Sequence, residues 1–114
     1  MKILVVGAGR AGARVLRELK KNPNLTVITV DPSEKPYAVA EGIIETVDIH
    51  EALTPLNLEY VCEQAKPDLV ILTRTTDDLG LGFAPGMDIL AEALSEELIA
   101  ISEIPMIEVS RRGL

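Results

Sequence analysis

The residues with the clearest chemical meaning form a dense glycine pattern close to the N-terminus. The pattern follows an apolar run, KILVVG at residues 2–7, and opens a helix-like segment. In this setting G-x-G-x-x-G predicts a turn that binds the pyrophosphate of a dinucleotide. Gly7 would let the chain leave the strand sharply, Gly9 would let a phosphate approach the backbone, and Gly12 would let the helix pack against the strands. The candidate cofactor-binding residues of the turn are Gly7, Ala8, Gly9, Arg10, Ala11 and Gly12.

An acidic residue, Asp31, ends the next apolar run at residues 25–30 and stands 19 residues after Gly12. An acid at this place accepts hydrogen bonds from the 2′-hydroxyl of an adenosine ribose, and its charge repels a 2′-phosphate. The two features together predict NAD (or NADH) as the cofactor rather than NADP. The alternative is that residues 7–12 form a tight strand-to-helix turn without a ligand, and that Asp31 is a surface acid before Pro32.

The elements that must position these residues alternate between strand and helix. Apolar residues at helical spacing predict a helix from Arg10 to about Lys21, after the strand at 2–7 and before a β-branched strand at 25–30. The further predicted elements are a helix over 33–42, a strand over 42–47, a helix over 55–66, a strand over 68–73, a helix over 87–96, a strand over 98–102 and an edge strand from residue 104. This order predicts a single α/β domain over residues 1–114, with a three-layer, Rossmann-like, doubly wound and mainly parallel sheet of about five strands.

Composition and charge indicate which classes of molecule the chain can bind. The 114 residues are 47% hydrophobic and 25% charged, which is typical of one globular domain. Residues 1–21 carry a net charge of +5 and residues 22–114 carry −12. An acidic body disfavours nucleic acid, whereas the basic end suits a small anion. We find no apolar run long enough to span a membrane and no secretory signal, so we expect a cytoplasmic protein without membrane insertion.

The segment VVGAGRAGARVLRELKKNPNLTVITVD, residues 5–31, resembles the nucleotide-binding domains of the Trk and Ktn potassium-uptake regulators and the related regulators of potassium conductance. That family has Arg in the same slot of the glycine turn. The resemblance implies that Arg10 lies near the pyrophosphate and that Asp31 holds the adenosine ribose. The family tends to have Gly-Asp after its third strand; here Asp48 follows Val47 without the glycine, and the resemblance places Asp48 near the adenine.

A second segment, VDPSEKPYAVAEGIIETVDIHEAL with the later AKPDLVIL, is similar to the leading domain of the ATP-grasp carboligases. In that family a short helix, as residues 37–40 would form here, precedes the next strand. The domain is Rossmann-like, holds no dinucleotide and is followed by catalytic domains. This resemblance therefore implies the same fold without implying an activity for these residues.

Two further candidates follow the predicted strand at 68–73. That strand is expected beside the first, so Thr73 and Arg74 would face the glycine turn across the crevice at the sheet's carboxyl edge. Thr73 could donate a hydrogen bond, and Arg74 could meet a phosphate or carboxylate. The glycines of residues 74–86 fit either a closing lid or a flexible connection.

We assign no catalytic and no metal-binding residue. Hydride transfer needs an acid–base group beside the nicotinamide, yet Gln64 stands where a Tyr-x-x-x-Lys pair starting at Tyr60 would need lysine. His50 reads as a surface residue and Cys62 as a small core residue. The sequence thus favours a stand-alone NAD(H)-binding module, sensing or regulatory through a partner, in a homodimer or with another protein. The alternatives are an oxidoreductase-type enzyme whose site is completed by a dimer or another subunit, and a Rossmann-like interaction domain that binds no nucleotide.

Overall fold

The computed structural model describes residues 1–73 and 87–109. Within them strands and helices alternate along the chain as the sequence predicts, except that two helices follow the second strand. Their bounds are β1 Lys2–Val6, α1 Arg10–Leu19, β2 Thr26–Val30, α2 Tyr37–Ala40, α3 Leu58–Ala65, β3 Leu69–Leu72, α4 Met87–Ile101 and β4 Met106–Glu108. Apart from Lys2 and β4, the strands are continuous apolar or β-branched runs, which suits strands buried on both faces.

The sheet formed by these residues is parallel throughout, with strand order β2-β1-β3-β4. At its centre, Leu4 of β1 pairs with Ile28 of β2 and with Val70 of β3. The chain crosses from β2 past β1 to β3, so the carboxyl ends of β1 and β3 lie side by side. The α/β prediction is confirmed, with four strands in the described residues rather than about five.

Helices cover both faces of the sheet. On one face Ile3 and Val5 pack in a buried cluster with Leu16 of α1 and with Ala38 of α2. On the other face the alternate residues of β1 pack in a second cluster that includes Val61 of α3 and Leu98 of α4. Because side chains alternate along a strand, β1 contributes to both cores at once. The predicted three-layer, doubly wound arrangement is therefore confirmed.

The strand predicted over residues 42–47 is wrong, because that segment is a series of turns. Ile44 and Val47 are buried, and the two residues between them are exposed, so the spacing does not fit the two-residue period of a strand. The chain reaches the edge of β2 slightly later, through a single parallel bridge between Val30 and Ile49. This single bridge stands beside β2 where a fifth strand would pair.

The strand predicted over 98–102 is also wrong, because α4 continues through Ile101. Ser95 and Leu98, three residues apart, are buried, whereas Ile99, Ala100 and Ile101 are exposed, and this spacing suits a helix with one face on the core. The edge strand predicted from residue 104 is confirmed as β4. It begins directly after Pro105, whose carbonyl accepts a hydrogen bond from the Val70 N–H, and proline is compatible with the start of an edge strand.

Candidate functional site

The glycine turn starts where β1 ends. Gly7 has φ +103°, a conformation that side-chain-bearing residues rarely adopt, and its N–H donates to the Val30 carbonyl at 2.7 Å. Gly9 is the N-cap residue of α1 in an extended conformation, φ −74° and ψ −157°, and its carbonyl accepts from the Ala13 N–H at 2.8 Å. The backbone therefore requires glycine at position 7, whereas its φ at position 9 is open to other residues.

Gly12 permits the close approach that the sequence predicts between helix and turn. A Cβ atom added there would lie 1.9 Å from the Gly7 carbonyl oxygen and 2.9 Å from Thr73 Oγ1. The first of these neighbours is backbone and cannot rotate away. Gly12 thus shapes the site by letting the first turn of α1 press against the end of β1.

The start of α1 is rich in hydrogen-bond donors. Its first turn contains no acidic residue, and no side chain of the described residues caps it. Nor does any group in residues 1–73 or 87–109 accept a hydrogen bond from the N–H of Arg10, Ala11 or Gly12. Such donors, together with the positive end of the helix dipole, form an environment that stabilises an anion.

Asp31 lies beside the turn and is only 3% exposed. Its Oδ2 accepts from the Ala8 N–H at 2.8 Å, and its Oδ1 accepts from the Ser33 N–H at 2.8 Å. The carboxylate therefore ties the end of β2 to the glycine turn, and it is not an acid of an exposed surface turn. Each carboxylate oxygen has capacity for a further hydrogen bond, so this structural role is compatible with a ribose contact.

Asp48 forms its hydrogen bonds with Thr29 of β2 and not with the glycine turn. Its Oδ2 accepts from the Thr29 N–H at 2.8 Å and from Thr29 Oγ1 at 3.1 Å, and its own N–H donates to Thr29 Oγ1 at 3.1 Å. Thr29 is buried in β2. This reciprocal set fastens the segment before Ile49 to the outer edge of β2. A position near an adenine stays a prediction from the resemblance.

Thr73 is brought to the glycine turn, as expected from the strand order. It is 1% exposed, its N–H donates to the Val6 carbonyl, and its Oγ1 lies 2.9 Å from the carbonyl oxygens of both Val6 and Gly7. Its single hydroxyl proton is thus directed to the backbone, and Thr73 stabilises the start of the glycine turn by this hydrogen bond. Arg74 and the rest of the loop 74–86 lie outside the described residues.

Tyr37 lies at this site, and the sequence reasoning missed it. The guanidinium carbon of Arg10 stands over the Tyr37 ring, 5.2 Å from its centroid, and the next residue, Ala38, donates its N–H to the Ala8 carbonyl at 2.9 Å. The first turn of α2 therefore touches the glycine turn. The sequence signal that could have pointed to Tyr37 is an aromatic residue shortly after Asp31. It lies in the segment that follows β2 and packs on the same face of the sheet as α1.

His50 and Cys62 lie apart from this cluster. His50 is exposed after the Val30–Ile49 bridge. Cys62, on α3, packs against the core on the face of the sheet opposite α1, and burial raises the pKa of its thiol. It lines a cavity of about 820 Å³ between α3 and the end of α4.

Within residues 1–73 and 87–109, no group of three His, Cys, Asp or Glu side chains is arranged to hold a metal ion. In the same residues no helix is long and apolar enough to cross a bilayer.

Comparison of the chain with protein-family models finds no match, and comparison with curated protein sequences finds none either. The geometry brings together the glycine turn, Asp31 and Thr73, and adds Tyr37 to them.

Proposed function

We propose that the chain binds the dinucleotide NAD(H) at the glycine turn and acts as a binding module through a partner. The observation that carries this proposal is the start of α1. Gly7 turns the chain sharply, Gly12 lets the helix approach, and the first N–H groups of α1 have no acceptor in the described part of the chain. This arrangement fits a phosphate group.

The charge of α1 supports an anionic ligand. Five basic residues within or just after the helix are exposed, namely Arg10, Arg14, Arg17, Lys20 and Lys21. Among the described residues the one ion pair is between Lys21 and Glu18, at the end of α1 remote from the turn. The guanidinium of Arg10, in the first turn, is therefore placed to add attraction for a pyrophosphate to that of the helix dipole.

Asp31 supports the choice of NAD(H) over NADP(H). Its buried carboxylate is fixed at the end of β2 by two backbone N–H groups, one of them from the turn itself. In this place its remaining acceptor capacity suits ribose hydroxyls, and its charge opposes a 2′-phosphate. The proposal assigns no catalytic residue, and the partner is a second copy of the chain or another protein.

A thermal-shift panel tests the proposal on the whole chain. The panel compares NAD⁺, NADH, NADP⁺, ATP, ADP and AMP at equal concentrations. A ligand present at 100 times its Kd stabilises the folded state by about 2.7 kcal/mol, which raises the Tm of a domain of this size by several degrees. We expect the largest shifts with NAD⁺ or NADH. The absence of a shift with every nucleotide would instead favour an interaction domain without a ligand.

A further inference from the structure

We propose that Tyr37 is the stacking surface for the adenine base of the bound nucleotide and that Arg10 leaves the Tyr37 ring when the base binds. This inference rests on the proposed function and assigns it a residue for base recognition. It is carried by the contact between the two side chains at the glycine turn.

The backbone fixes Tyr37 beside the phosphate-binding turn. Ala38, the residue after it, donates its N–H to the carbonyl of Ala8, and the side chain of Ala38 is fully buried. On the other side of the turn, Asp31 accepts from the N–H of the same Ala8. Residue 8 therefore links the ribose-binding candidate and the start of α2. An aromatic ring at position 37 lies within the neighbourhood that an adenosine attached to the pyrophosphate would occupy.

Tyr37 is also accessible. Its side chain is 37% exposed, so part of the ring surface is open to solvent. Its partner Arg10 is exposed as well and has no ion pair with any described residue. An exposed cation–π contact is weak, so a ligand that offers a better partner to either group can separate them.

The distance between the two groups decides how a base would bind. The Arg10 guanidinium carbon is 5.2 Å from the ring centroid. A purine inserted between them would need two carbon–carbon contacts and a separation of about 7 Å. The base must therefore displace the guanidinium from the ring. Arg10 is the first residue of α1, so the released guanidinium would stay at the helix start, where the phosphates of the same ligand are expected.

Tyrosine fluorescence gives a direct test, because the chain has no tryptophan and only two tyrosines. Tyr60→Phe removes the second emitter; Tyr60 is exposed, and its hydroxyl accepts a hydrogen bond only from Gln64 of the same helix among the described residues. In this background, NAD⁺ is titrated with correction for its absorption. We expect the emission of Tyr37 to fall in step with NAD⁺ binding measured by calorimetry. At equal occupancy of the site it should fall less with nicotinamide mononucleotide, which has a phosphate for Arg10 but no purine for the ring.

The matched pair Tyr37→Phe and Tyr37→Leu separates stacking from simple packing. Phe keeps the aromatic face and should bind NAD⁺ within about twofold of the parent, whereas Leu should weaken binding about fivefold or more, since base–aromatic stacking is lost. If the parent binds NAD⁺ but the Leu variant binds it equally well and the emission of Tyr37 does not change, the role of Tyr37 is wrong and the proposed function stands. If the parent does not bind NAD⁺ at all, both are wrong.

Discussion

At the scale of single residues, the three glycines of the turn have separate physical roles. Gly7 is required by its positive φ and Gly12 by the carbonyl that a Cβ would strike, whereas Gly9 has a φ of −74° that other residues also adopt. The backbone path of the turn thus depends on two of the glycines. The role left for Gly9 is to leave open the space in which a phosphate approaches the helix start.

Gly12→Ala should destabilise the chain by about 2 kcal/mol or more, because the new methyl group would overlap the Gly7 carbonyl oxygen and force the helix away from β1. Urea denaturation followed by circular dichroism measures the change. The matched control is Gly9→Ala, whose backbone φ of −74° accepts a side chain and which should lose less than about 1 kcal/mol. Equal destabilisation by the two variants would contradict this account of the turn.

Asp31→Ser should act on both stability and cofactor choice. Serine replaces the two carboxylate oxygens, which accept from the N–H groups of Ala8 and Ser33, with a single hydroxyl. We therefore expect a loss of about 1–3 kcal/mol in the free energy of unfolding. It also removes the charge that opposes a 2′-phosphate. The parent should prefer NAD⁺ over NADP⁺ by about tenfold or more, which is about 1.4 kcal/mol, and the variant should lose most of this preference.

Calorimetric titration of the parent and the Asp31→Ser variant with both cofactors measures that ratio. Asp68→Ser is the control, because it changes an acid that precedes β3 at the opposite end of the sheet, where Asp68 Oδ2 accepts from the Lys2 N–H instead of from the turn. A parent that binds NADP⁺ as tightly as NAD⁺ would show that Asp31 does not face the ribose.

At the scale of elements, the sequence predicts best where a signal is both local and redundant. β1 and α1 are marked by an apolar run, a glycine turn and a helical apolar stripe. The signal for β4 is weaker, because Pro105 interrupts its alternation of apolar and polar residues. The two wrong strands, over 42–47 and 98–102, are apolar runs of a few residues. Such runs fit a turn packed on the core or a buried helix end as well as a strand, and tertiary packing decides between them.

The helical path of residues 98–101 has a direct consequence for stability. Leu98→Ala should cost about 2–5 kcal/mol, because Leu98 is fully buried in the core beneath α4. Ile99→Ala should cost less than about 1 kcal/mol, because Ile99 is 40% exposed. Urea denaturation of both variants checks this difference. A large loss for both would indicate the strand buried on both faces that the apolar run alone suggests.

At the scale of the whole molecule, the fold explains why the site residues are found together. The parallel order β2-β1-β3 brings the ends of three strands to one edge, so Asp31, Gly7 and Thr73 meet although they are far apart in the sequence. That meeting could be predicted from the alternation of strands and helices. The position of Tyr37 could not, since it depends on the backbone contact between Ala38 and Ala8.

The central claim is that the start of α1 binds the pyrophosphate of NAD(H), and Gly9→Val tests it most directly. A branched side chain at this position would occupy the space left for the phosphate, and the φ of −74° at Gly9 is one that residues with side chains adopt. Ala100→Val, on an exposed position of α4, is the matched control for added volume. Calorimetric titration with NAD⁺ should show binding to the parent and the control, and none to a folded Gly9→Val chain. Equal affinity of all three proteins for NAD⁺ would contradict the claim.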